Sequence, residues 1–498
     1  MKFSLLLIQL LFAILLFSQN YNRITPKELA PYRFEIVDSN YSADYLLTPF
    51  DLTQQLNSSL VILDSSGNIK WYAISQFSRG FTNLKYHPAV DKFTFVGNRT
   101  YYVMDTSFTL VDSLKVANGF KVDSHEFELL PNGNYILSGA SDSVVDLSNH
   151  VLNGVQASDT THITGFTIQE FNPQKNIVFQ WNSNDYINPL ESYDSIYGYK
   201  INGFDYCHGN SIEVDSNGDF IVSMRHTNSL FKIRRATGQI VWRLGGKLSD
   251  FSFVNDFGFS GQHDARVTSS GTISLFDNGN GKINPVSRGV TYQLDTINWT
   301  ATKVYEYYYP TGFYSRAMGN FQNMTNGDRL IGYGMLNRPH PSFVVVDAAD
   351  TKIAELFLKD SIVSYRALKT NLPQSIKQPT AICHYQNGVL VLEAPLSNNY
   401  EWSTGDTTRS IVVNQTGEYQ FYIPRGIGKV GSEIIRVSSI SGYCNSTSLS
   451  ENSRYYFDDK VIKQIDLLGR ELLKPKRNQI VIHIYESGRV EKVIWNGE

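Results

Sequence analysis

Three histidines sit in similar local settings. His125 lies in Asp123-Ser124-His125-Glu126-Phe127, His208 in Asp205-Tyr206-Cys207-His208-Gly209-Asn210-Ser211, and His263 in Gly261-Gln262-His263-Asp264-Ala265. Each precedes a strand-like run that enters a tight turn. Imidazole works near neutral pH as a nucleophile or as a general acid or base. Arg225, in Ser223-Met224-Arg225-His226, ends the run after His208, and a hairpin turning at Asn217-Gly218 brings it back beside that histidine. A guanidinium offers a planar fork of donors suited to tetrahedral oxyanions such as sulfate or phosphate. Three imidazoles and a guanidinium, with no carboxylate pair, fit transfer of an anionic group. A metal fits less well, because the arginine repels a cation. Taken singly, each histidine also reads as a polar loop residue satisfied by hydrogen bonds.

Other chemistries lack their residues. Leu244-Gly245-Gly246-Lys247 misses the spacing of a phosphate loop, and Phe276-Asp277-Asn278-Gly279-Asn280-Gly281 misses the further acidic ligands of a Ca²⁺ loop. No GxSxG elbow and no nucleotide-cofactor motif occurs, so no cofactor is expected. Lys and Arg total 44 against 47 Asp and Glu, a net charge of -3, which supplies no broad basic field for nucleic acid. Three cysteines are too few for a disulfide-built scaffold.

The elements that must carry these residues read as strands. The chain holds 30 Tyr and 29 Phe, and aromatic residues suit strands. One phrase, an apolar strand, a polar turn and a strand ending near Trp, recurs at Leu60 to Trp71, Phe166 to Trp181 and Leu230 to Trp242; Phe343 to Phe357 follows it without the Trp. A second phrase, a strand, a tight turn and a strongly apolar strand, recurs at Phe127 to Gly139, Ile212 to Arg225, Ala265 to Asp277 and Phe321 to Gly334. Alternating hairpins of this kind suggest the four-stranded blades of a β-propeller, in which equivalent positions of successive blades meet at one end of a central channel. An unclosed sandwich or solenoid is the alternative. The pattern fades after about Arg366. A compact β segment then runs from Ala381 to Cys444, followed by a Ser/Asn-rich linker and a last small β unit from Tyr455 to Glu498.

Met1-Lys2, the apolar run Phe3 to Phe17 and the polar residues after Ser18 predict a secretory signal peptide over 1–18. No later apolar run reaches the length of a spanning helix, so no stable membrane insertion is expected. The protein is expected to be exported, secreted or at the cell surface, with the periplasm as the alternative. Export permits Cys383 and Cys444 to pair and leaves Cys207 alone.

The run from Asp205 to Asn280 resembles the bacterial aryl-sulfate sulfotransferases. The matching pieces are His208-Gly209-Asn210-Ser211-Ile212, Ser223-Met224-Arg225-His226, Gly238 to Gly246, Gln262-His263-Asp264-Ala265 and Phe276-Asp277-Asn278-Gly279. His125-Glu126-Phe127 with Leu130 to Asn134 upstream, and Ala317 to Gln322 with Asn326-Gly327-Asp328 downstream, extend the likeness over about residues 30–366. The resemblance implies a six-bladed β-propeller that moves a sulfuryl group from a phenolic sulfate ester to a phenol, without a nucleotide donor. It implies His263 as the nucleophile that becomes sulfated, His208 and Arg225 as holders of the sulfuryl oxygens with Asn210 assisting, and His125 in sulfuryl binding or proton traffic. Ser124 stands where the family carries a second histidine, and the short opening segment leaves no room for an N-terminal sandwich.

The tail has likenesses of its own. Tyr400 to Tyr419 is similar to Ig-like modules of Bacteroidetes surface proteins. Val461 to Val493, with Ile465 to Arg470 and Ser487 to Val490, resembles a type IX secretion sorting domain, which implies the secretion machinery as a partner. The expected organisation is an all-β chain: signal peptide 1–18, propeller 19–366, Ig-like β-sandwich 381–444 and sorting domain 454–498. A non-catalytic surface propeller that binds a sulfated or glycan ligand is the competing function, and a hydrolase passing sulfate to water is a third. Neither oligomeric state nor blade number follows from the pattern.

Overall fold

The tight turns close hairpins between strands that are largely buried on both faces. Asn217-Gly218 joins Gly209–Val214 to Phe220–Met224, and Gly218 takes φ +83°, a value that costs glycine little. In this computed structural model the described residues are 25–37, 42–77, 79–193, 203–336, 340–359, 361–441, 443–446, 461–466, 470–472, 474–476, 479–485 and 490–495. They form an all-β structure divided into two units, one of residues up to 376 with 426–428, the other of 377–425 and 429–498.

In the first unit the two recurring phrases are the inner and outer hairpins of antiparallel sheets. The first sheet orders Ile362–Thr370, Asp44–Asp51, Ser59–Leu63 and Ile69–Ile74. The second orders Phe81–His87, Lys92–Gly97, Thr100–Met104 and Leu110–Leu114. The third has Lys121–Leu129, Tyr135–Val145, Thr161–Phe171 and Ile177–Asn182; the fourth continues Gly209–Val214 and Phe220–Met224 with Ser229–Ile233 and Ile240–Gly245. The fifth has His263–Val267, Ile273–Asp277, Arg288–Asp295 and Thr300–Tyr308. The sixth has Asn320–Asn323, Arg329–Gly332, Phe343–Val346 and Lys352–Leu358, with Tyr32–Ile36 added at its outer edge. The leading strands touch in cyclic order, from 362–370 through 81–87, 121–129, 209–214, 263–267 and 320–323 back to 362–370.

Two side-chain amides stitch the last sheet to the first. Asn320 Nδ2 donates to Ala367 O at 2.7 Å and its Oδ1 accepts the Ala367 N–H at 3.0 Å. Gln322 repeats this on Lys369, at 2.8 Å in both directions. Elsewhere apolar wedges fill the gaps between sheets. Ile136, Phe166, Ile168 and Trp181 pack with Ile212, Phe220, Phe231 and Ile233 between the third and fourth sheets. Leu230, Trp242 and Leu244 meet Leu275, Val290 and Tyr292 between the fourth and fifth. Each such side chain contributes roughly 1.5–3 kcal/mol of burial, which holds the leading strands in place.

The second sheet was not among the recurring phrases. Its turns place Asp91, Asn98, Arg99 and Phe108 at positive φ, so the usual turn signature is missing except at Gly97-Asn98.

In the second unit Ile382–Gln386, Val389–Glu393 and Ser410–Val413 form one sheet, and Gly417–Tyr419 pairs with Ile435–Val437. Val461–Ile465, Gln479–Tyr485 and Val490–Trp495 form a three-stranded antiparallel sheet. Export permits a Cys383–Cys444 pairing; in the structure the two thiols lie against each other in a hydrogen bond and no disulfide joins them. Burial and Cys383 push the Cys444 thiol up to about 12. The expected signal peptide over 1–18, most of the expected linker, and residues Leu467 to Gly469 and Ser487 to Arg489 of the expected sorting domain fall outside the described residues. No helix among the described residues is long and apolar enough to cross a membrane.

Candidate active site

His263 opens the leading strand of the fifth sheet and is 2% exposed. Its Nδ1 meets Asn278 Oδ1 at 2.7 Å and Gly261 O at 3.0 Å. Asn278 is oriented by its own amide nitrogen, which donates to Ser315 O at 2.8 Å and Met318 O at 3.0 Å. With the Asn278 oxygen so directed, the imidazole proton belongs on Nδ1 and the lone pair on Nε2, where it accepts the Met318 N–H at 3.2 Å. Burial and then the Arg225 charge hold His263 well below the usual imidazole range, with the Asn278 bond opposing them. A neutral imidazole with its lone pair on Nε2 is a competent nucleophile.

The other imidazoles are held by carboxylates. His125 Nδ1 meets Asp123 Oδ1 at 2.7 Å, and the same oxygen accepts the His125 backbone N–H at 2.9 Å. Burial opposes charging of this ring, but Asp123 outweighs it and raises the pKa. His208 takes φ +49°, which lets Asp205 accept both its backbone N–H at 3.1 Å and its Nδ1 at 2.5 Å. Burial raises the Asp205 carboxyl, yet the neighbouring His208 wins and brings it down to about 2. The His125 and His208 rings meet edge-on at 4.9 Å between centroids.

Arg225 is returned to this group by the hairpin, its N–H donating to His208 O at 3.0 Å. Its fork reaches His226 Nε2 at 3.0 Å and Arg316 O at 2.9 Å. His226 stacks on His208 at 4.6 Å and presents Nδ1 to Asp205 O at 2.6 Å. Burial and the His208 charge bring it down to about 3, so it serves as a neutral acceptor for Arg225.

A buried charge network adjoins the histidines. Glu126 is fully buried and binds Lys85, Arg266 Nη2 at 2.7 Å and Arg366 Nη1 at 3.3 Å. Burial alone would raise its carboxyl; the three cations hold it well below the usual range. Arg366 in turn donates to Asn83 Oδ1 at 2.7 Å and Asn210 O at 2.8 Å, while its Nε lies 3.0 Å from Asp264 Oδ1. Leading strands of five sheets are tied together here.

Asn210 belongs to this framework. The resemblance makes it a partner of the sulfuryl oxygens, but the side chain is fully buried and its Nδ2 donates to Gln262 O at 2.7 Å. It anchors the segment that leads into His263. The residues that sequence reasoning passed over are the partners Asp123, Asp205, His226 and Asn278. An Asp two or three positions before His125 and His208 was the available signal.

Asp205, His208 and His226 bring three ligand atoms within 4.8 Å of one another. These donors do not suit a cation. Both Nδ1 atoms already face Asp205 oxygens, and His226 Nε2 faces a guanidinium. A metal there would displace charge-assisted hydrogen bonds and sit against Arg225.

The arylsulfotransferase (ASST) family model matches residues 97–339, a span that contains His125, His208, Arg225 and His263. The chain is 23% identical over 370 residues to the arylsulfate sulfotransferase AssT of Escherichia coli O6:H1 strain CFT073. That match covers 57% of this chain and 59% of the relative's length. Both findings support the arylsulfotransferase family. Among solved structures, a protein of unknown function from Bacteroides caccae aligns with TM-score 0.44 and 12% identity, over 66% of this chain and 100% of that one. Virginiamycin B lyase from Staphylococcus aureus aligns with TM-score 0.35 and 9% identity, over 72% of this chain and 95% of that one.

Proposed function

We propose that this protein is an exported aryl-sulfate sulfotransferase working through a sulfohistidine on His263, without a nucleotide donor, and that its six sheets are the blades of a β-propeller. The cyclic contacts of the leading strands support the fold reading. The observation that carries the chemistry is the opposite tuning of two nearby imidazoles: His263 is pushed toward the neutral form and His125 toward the charged form. Separated pKa values mark a nucleophile and an acid.

In the first half-reaction the His263 Nε2 pair attacks sulfur as the sulfur–oxygen bond to the aryl group breaks. That bonding pair leaves on the phenolate oxygen, which takes a proton from His125. Arg225 and His208 hold the sulfuryl oxygens, where preorganised donors stabilise developing charge. In the second half-reaction His125 accepts the proton of an incoming phenol. The phenolate attacks sulfur, and Nε2 recovers its pair. The kinetics are ping-pong. The signal peptide, the Ig-like module over 381–444 and a sorting domain over 454–498 that engages the secretion machinery complete the reading.

The test is mass spectrometry after brief exposure to a chromogenic phenyl sulfate with no nucleotide present. An added SO₃ group on His263, discharged by phenol, is expected. Discharge at the same rate in water alone would make the protein a hydrolase. No adduct, with ligand binding that survives His263→Ala, would make it a non-catalytic binder.

A further inference from the structure

The attacking atom of His263 is already engaged. Its Nε2 accepts the Met318 N–H at 3.2 Å, and that lone pair is the one required for attack on sulfur. The bond must therefore open before chemistry, and an N–H group is then left pointing into the space where sulfur arrives.

The segment 315–319 is built to hold that N–H in place. Met318 takes φ +61°, unusual for a side chain of this kind, and Gly319 follows at +102°. A Cβ on Gly319 would lie 2.6 Å from the Phe276 ring and 2.7 Å from Gly332 O, so glycine is required there. The carbonyls of Ser315 and Met318 hold Asn278, and that of Arg316 receives Arg225 Nη2 at 2.9 Å and Asn280 Nδ2 at 3.1 Å. Gly319 N donates to Tyr365 O at 3.1 Å, and Met335 N to Ala317 O at 3.0 Å. One short segment thus orients the partner of the nucleophile, one arm of the Arg225 fork and the N–H itself. Backbone strain at a site of this kind points to function.

We infer that the Met318 backbone N–H is a sulfuryl-oxygen donor, which caps His263 Nε2 at rest and passes to an oxygen of the SO₃ group as the nitrogen–sulfur bond forms. The inference rests on the sulfohistidine reading. Only a hydrogen bond moves; the electron pairs and the proton follow the course given above. Three equatorial oxygens gather charge in an in-line transfer, and a donor fixed beside the entering nitrogen meets one of them without reorganisation.

The test is an amide-to-ester exchange at residue 318 in the full chain, which replaces this N–H with oxygen. Single-turnover sulfation by phenyl sulfate is expected to slow by roughly 100-fold, the effect of losing one preorganised donor. The His263 titration, followed by NMR of labelled imidazole, is expected to move up, because the resting bond stabilises the neutral ring. An ester at 335 removes the N–H bound to Ala317 O, so it measures the loss of that tie by itself, and it is expected to slow sulfation less than the 318 ester does. Wild type that forms no adduct overturns the sulfohistidine reading and this inference with it. Adduct in wild type at the same rate in the 318 ester overturns the inference alone, and faster sulfation in that ester makes the N–H a mere block. Should the ester fail to fold, p-toluenesulfonate, which cannot transfer its group, is titrated into labelled wild type. The Met318 amide resonance is expected to shift, and an unmoved resonance overturns the donor role.

Discussion

At His263 the partner of Nδ1 is the oxygen of an amide, Asn278; at His125 and His208 it is a carboxylate, Asp123 or Asp205. Burial works against charge on both His263 and His125, yet only His125 has an adjacent anion to overcome it. The same side chain is therefore pushed in opposite directions within one site. On the proposed mechanism, the partner of Nδ1 separates the role of His263 from that of His125.

The largest expected effect comes from His263→Ala. It removes the proposed nucleophile and is predicted to lower phenol release from a phenyl sulfate by about 10⁴-fold or more; a variant keeping a tenth of the rate would break the assignment of roles. Next is Glu126→Ala, which strips the shared carboxylate from Lys85, Arg266 and Arg366. Buried cations left unpaired cost about 3–5 kcal/mol, to be read from urea unfolding, and a loss below about 1 kcal/mol would mean that the leading strands do not depend on this carboxylate. Arg225→Lys keeps the charge but loses the fork that spans His226 and Arg316. A fall of about 100-fold in kcat is expected, with a smaller change in KM.

Two exchanges act on the comparison itself. Asp123→Asn removes the anion that raises His125. A general acid works while protonated, so activity is lost as pH rises through its pKa, and lowering that pKa moves the alkaline limb of the pH–rate profile to lower pH. About a tenfold loss at pH 8 is predicted; an unmoved limb would take His125 out of the proton path. Asn278→Asp is the converse. It sets a carboxylate on His263, raises that imidazole and moves the acidic limb to higher pH, with a loss of about threefold at neutral pH. If only the rate falls and the limb stays, Asn278 positions the ring without tuning it.

Much of the fold could be read from the chain because strand period and turn chemistry are local. Glycine or asparagine at a tight turn, between alternating apolar runs, names a hairpin wherever it occurs. The sheet from Phe81 to Leu114 escaped because Asp91 and Phe108 occupy left-handed turn positions without that signature, and only the Gly97-Asn98 turn carries it. In the site, His125, His208, Arg225 and His263 were legible as residue types in repeated settings. Asn210 was legible too, and the structure adds its buried bond to Gln262, which no sequence pattern announces.

The sequence by itself determined which groups are present and where most of the hairpins turn, since these follow from side-chain type and nearest neighbours. Tertiary structure alone decided which imidazole is pushed toward charge, which nitrogen keeps its lone pair and which backbone N–H meets it. The physical reason is that protonation answers to burial and to charges brought from elsewhere in the chain. Met318 reaches His263 from 55 residues away, and a backbone donor has no letter of its own.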